Sequence, residues 1–87
     1  MATELLATGS TAANSADLVV ASGSMVTVAL KGVVDATARV RILLKDDTAA
    51  YSDVAELNSF RPATEIVAPG TYRFTRVAGG ACGVFSA

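Results

Sequence analysis

The chain has no histidine, no tryptophan, one cysteine and two prolines in 87 residues. Without histidine, nucleophile–imidazole arrangements of the Ser-His-Asp or Cys-His kind are impossible. A zinc ion would find one thiol and scattered carboxylates. A single Cys82 excludes an internal disulfide, and it is read as a free buried thiol rather than a reactive or intermolecular one. The lack of tryptophan counts against a carbohydrate platform and leaves Tyr51, in or beside a turn, as the plausible exposed stacking residue.

Charge is scarce as well. Charged side chains make up 17% of the chain and the net charge is -1, which gives no general attraction for nucleic acid and only weak repulsion between copies. No window approaches the about 20 apolar residues of a membrane-spanning helix. The opening "MATELLATGS" has no early lysine or arginine and only a short, broken apolar stretch, so no signal peptide is expected. The product is expected to be made and kept in a cytosol until it joins something larger.

What is present is apolar and small: 52% of the residues are hydrophobic, and many of these are Ala and Val, far from the composition of a disordered chain. The apolar residues alternate. In "MVTVALKG", Val26, Val28 and Leu30 share one face while Met25, Thr27 and Ala29 share the other. In "ARVRILLK", Val40, Ile42 and Leu44 point inward, Arg39, Arg41 and Lys45 point outward, and Leu43 is an apolar residue on the wet face. In "APGTYRFTRVAGG", Tyr72 and Phe74 are core and Arg73 and Thr75 are surface. Period two is the signature of half-buried strands.

The connections carry turn chemistry. "DLVVA" precedes Ala21–Ser24, which makes either a hairpin to the next strand or a corner that switches sheets, with Gly23 supplying the turn. "DDTAAY" turns the chain into "SDVAELNS", a weaker strand for which a helix is the minor alternative. "TEIVA" is an edge strand or an extended link, Pro69-Gly70 fits a type II turn, and Cys82 to Phe85 is a last short strand. The sum is about six or seven short strands with turn signals every 8 to 12 residues, the spacing of an antiparallel β-sandwich or small barrel. Residues 1–16, small and polar around Leu5 and Leu6, are expected to be an arm or loosely attached segment, or else a conventional first strand; residues 17–87 form a single domain.

Candidate chemistry is thin. Asp53 and Glu56, three positions apart in a strand, are expected on opposite faces, and Asp46-Asp47 reads as ordinary turn polarity rather than a calcium loop. Arg39, Arg41, Arg73 and Arg76 are read as solvated faces or intersubunit salt bridges, because nucleic-acid binding needs interleaved exposed aromatics or surplus charge.

The order "ELLATGSTAANSADLVVASG", "VTVALKG", "ARVRILLKDD" with "YSDVAEL", then "APGTYRFTRV" resembles small structural proteins of tailed bacteriophage virions. Several of these carry a β-sandwich in which a G-x-Y-x-apolar strand follows a Pro-Gly turn. The resemblance implies an all-β fold, a small antiparallel β-sandwich of Ig-like or jelly-roll-like kind, without enzyme activity and without a cofactor or metal. It implies a capsid decoration or cement subunit on the outside of a phage head, made in the host bacterial cytoplasm. Its partners would be the major capsid protein and neighbouring copies of itself, with no nucleic acid and no membrane. Head completion, a tail or fibre adaptor, and a non-enzymatic ligand-binding β module are the alternatives. The residues expected to touch a capsid or a neighbouring subunit are Leu5, Leu6, Arg39, Arg41, Leu43 and Arg73.

Overall fold

A computed structural model describes residues 3–32 and 37–87. The chain forms a small β-sandwich of nine short strands among these residues, with no helix. In order they are β1 (Thr3–Gly9), β2 (Ala13–Asn14), β3 (Leu18–Val20), β4 (Val26–Lys31), β5 (Arg39–Lys45), β6 (Tyr51–Asn58), β7 (Ala63–Ile66), β8 (Gly70–Arg76) and β9 (Cys82–Ser86). One sheet runs β1-β9-β4-β7. The other runs β2-β8-β5-β6, with β3 continuing the β2 edge of β8, and all pairings are antiparallel.

The alternating residues meet between the sheets. Val28, Ala38, Val40, Leu57, Phe74, Cys82 and Val84 are fully covered, and Ile42, Val20, Leu6, Leu30, Ile66 and Tyr72 complete the core. Tyr72 keeps its hydroxyl satisfied by donating to the Ala68 carbonyl at 2.9 Å, so a polar tip costs the core little. Between β2 and β3 the edge is not broken: the Ser15 amide donates to Phe74 O at 2.8 Å and Ser15 Oγ accepts from Phe74 N at 3.0 Å.

Three readings are changed or decided, and a fourth holds. Thr3–Gly9 is a strand paired with β9, and Leu6 lies in the core; residues 3–16 are therefore built into both sheets rather than forming an arm, because one leucine on an inward parity is enough to seat an edge strand. Residues 1 and 2 lie outside the described part. Ala21–Ser24 is the sheet-switching corner and not a hairpin turn, since β3 belongs to one sheet and β4 to the other; Gly23 does supply the positive φ of 83°. The run from Tyr51 is the expected strand, and the helical alternative does not hold. Gly70 has φ 155° and already pairs with Val20, so it opens β8 instead of holding the third position of a type II turn, where φ is about +80°.

Candidate functional site

The outer face of the second sheet collects four of the chain's seven basic side chains. Arg39, Arg41, Leu43 and Lys45 project from β5, Thr71, Arg73 and Thr75 from β8, and Tyr51, Asp53, Glu56 and Asn58 from β6. Asp53 and Glu56 share this face, contrary to the expectation from their spacing. Ile42 pairs with Ala55 and Leu43 with Asp53, so Val54 is the extra residue of a β-bulge and resets the alternation.

Each surface arginine here finds a carboxylate of its own chain. Arg39 grips Glu56 with two hydrogen bonds, Nε to Oε1 at 3.2 Å and Nη2 to Oε2 at 3.1 Å. Asn58 Nδ2 donates to the same carboxylate at 3.0 Å. The Arg39 and Asn58 bonds hold Glu56 below its ordinary pKa, and the same contact raises that of Arg39. Arg41 faces Asp53 at 3.8 Å and Arg73 faces Asp17 at 3.5 Å. Arg73 also lies 3.9 Å above the Tyr51 ring centre. The Tyr51 hydroxyl donates to Asp17, which raises the Tyr51 pKa. One face of the Tyr51 ring is thus covered. Exposed pairs of this kind are worth about 0–1 kcal/mol each; they pair the three arginines of the face within the chain, while Lys45 lies 5.9 Å from the Tyr51 ring centre.

Of the six residues expected to make contacts, Arg39, Arg41, Leu43 and Arg73 come together on this face. Leu43 is half-buried opposite Arg73. Leu5 and Leu6 do not join them: they sit on β1 in the other sheet, Leu6 buried and Leu5 packed against the core. Arg76 departs most from expectation. It follows Tyr72 and Phe74 inward, is 5% exposed, and donates to the carbonyls of Thr11 at 2.7 Å, Ala7 at 2.6 Å and Cys82 at 2.9 Å. Three backbone acceptors replace the solvent that a buried guanidinium loses.

Sequence reading missed the side of the sandwich where β6 and β7 face each other. An apolar groove of about 210 Å³ opens between these two edge strands. Ile42 and Tyr72 lie beneath it, Val54 and Val67 flank it, and Glu65 is the charged residue of its lining. Val54 and Val67 are more than half exposed. The loop joining the two strands presents Phe60, 94% exposed. That loop is firmly built. Asn58 Oδ1 accepts from the amides of Phe60 and Arg61, both at 2.9 Å, and Asn58 and Arg61 exchange backbone bonds at 3.0 and 3.1 Å. The Pro62 carbonyl is pinned by the Leu30 amide at 2.8 Å. The available signal was an aromatic residue inside the polar turn "NSFRP", with no strand alternation to take it into the core.

Compared with family models, curated proteins and solved structures, the chain gives no match.

Proposed function

We propose that the protein is a non-enzymatic structural subunit that works by being assembled, a decoration or cement protein on the outside of a tailed-phage head. The observation that carries this reading is the distribution of unsatisfied surface. The arginines of the charged face are paired within the chain, while a 94% exposed Phe60 sits on the braced loop that joins the two strands bordering an open apolar groove. Exposed aromatic and arginine side chains held in place are what protein interfaces concentrate. A groove of about 210 Å³ is below the roughly 300–1,000 Å³ of small-molecule pockets, which favours a protein contact over a ligand-binding module. The resemblance of the sequence segments to small virion structural proteins supplies the choice of capsid as partner.

The test is sedimentation of the purified protein with purified phage heads, followed by counting bound copies. Saturation at many copies per head, arranged on the surface lattice, is expected. A handful of copies at one vertex replaces decoration by head completion or a tail or fibre adaptor. No binding to heads or tails removes the virion reading.

A further inference from the structure

The same seam carries a knob, a hole and two uncompensated charges, and together they name a partner. Among the described residues every other arginine has one: Arg39, Arg41 and Arg73 hold carboxylates, and Arg76 holds three carbonyls. Arg61, next to Phe60, forms no ion pair among these residues, and neither does Glu65, which lines the groove. The knob carries the positive charge and the hole the negative one. The sizes agree also, since an apolar cavity of about 150 Å³ accepts a benzene molecule and this groove offers about 210 Å³. Phe60 is 94% exposed and so does not fill its own groove.

We propose that the β6–β7 seam is a self-association surface, taking a second copy of this chain. Phe60 of each copy enters the groove of the other and Arg61 of each pairs with Glu65 across the contact. Knob and groove belong to one seam, the loop carrying Phe60 closing the end where β6 leads into β7 and the groove lying further along the same two strands. Two such seams rotated by a half turn satisfy each other twice, which is the isologous geometry of a two-fold dimer and ends at two copies. This names the neighbouring copy of the assembly reading above but needs no capsid: loss of head binding with dimerisation intact defeats only that reading, and the converse result defeats only this one.

The experiment is sedimentation equilibrium of the whole chain over a concentration series, with circular dichroism to verify the fold of each variant. Wild type is expected to pass from monomer to dimer and stop there. Phe60→Ala is expected to raise the dissociation constant roughly 30-fold or more, the ratio that marks a central interface residue. Arg61→Glu and Glu65→Arg should each weaken the dimer by a few-fold to tenfold (a rough range for exposed pairs). The double variant should recover most of that loss, because reversal of both charges rebuilds both pairs. A wild type that stays monomeric at about 1 mM, the weak end of measurable affinities, overturns the proposal. So does a dimer indifferent to Phe60→Ala, a series that grows past two copies, or a double variant no better than the worse single one.

Discussion

The two open sides of the sandwich are finished in opposite ways. On one side the edges are β1 and the β2–β3 run, and the chain crosses between them through Ser10–Ala12 while Arg76 reaches in from β8 to hold Ala7, Thr11 and Cys82 together. On the other side the edges are β6 and β7, the crossing loop lies at one end, and the space between the strands is left as a groove. The first seam spends a buried cation on closure. The second keeps Val54, Val67 and Phe60 in solvent. One seam is thus closed by buried hydrogen bonds and the other is left open, and the difference is measurable.

The largest effect sets the scale for both. Phe74 is fully buried between the sheets, and Phe74→Ala should cost roughly 3–5 kcal/mol. Chemical denaturation reads it directly. A loss below about 1 kcal/mol would mean that the middle of the sandwich does not support either seam.

Arg76→Met comes next and acts on the closed seam. It keeps an unbranched chain in place but leaves three backbone carbonyls without their donor. At about 1–3 kcal/mol for a buried unsatisfied group with partial recovery by water, the expected loss is roughly 2–4 kcal/mol. Arg76→Lys should restore only part of this, since a point-like ammonium lacks the planar fork. Equal stability of the methionine variant and the wild type would erase the contrast between the seams.

Acid should loosen the turn and the charged face with a smaller amplitude. Asp46 accepts from the Thr48 hydroxyl, the Thr48 amide and the Ala50 amide, and these bonds depress its pKa, as Arg39 and Asn58 depress that of Glu56. In both cases the unfolded chain binds protons more readily, so the stabilisation is complete above the ordinary carboxylate values of about 4 and fades as pH falls through the folded ones. Melting temperature followed from pH 6 downward should fall less for Asp46→Asn with Glu56→Gln than for wild type. Parallel curves for the two proteins would show that other carboxylates control the acid limb.

The smallest effect belongs to the open seam. Phe60→Ala and Val67→Ser should change unfolding free energy by no more than about 0.5 kcal/mol, as exposed substitutions usually do. A penalty of about 2 kcal/mol in either would place these side chains in the fold rather than at its margin.

Much of the fold was legible because β4, β5 and β8 each bury one face, so Val28, Val40, Ile42, Tyr72 and Phe74 announce themselves by parity. Where a strand is three residues long, as Leu18–Val20 is, parity says nothing about which sheet it joins, and the corner looked like a hairpin. The bulge at Val54 is a one-residue slip with no compositional mark, and it moved Asp53 and Glu56 onto one face. Arg76 obeyed the alternation of its strand, but residue type argued the other way; the acceptors that permit its burial come from Ala7 and Thr11, far away in the chain. The candidate surface was harder to see. Alternation put Arg39, Arg41 and Leu43 on the outward face of one strand and Arg73 on that of another, and the pairing of β5 with β8 brings them together; the groove arises from two edge strands of different sheets and leaves no trace in either segment alone.

Cys82 has one further consequence. It is fully covered, pairs with Gly9 of β1, and offers its carbonyl to Arg76. The only thiol in the molecule is thus shut behind the fastening of the closed side. The folded protein carries its own clock: the pace at which a thiol reagent consumes Cys82 counts how often that side comes undone.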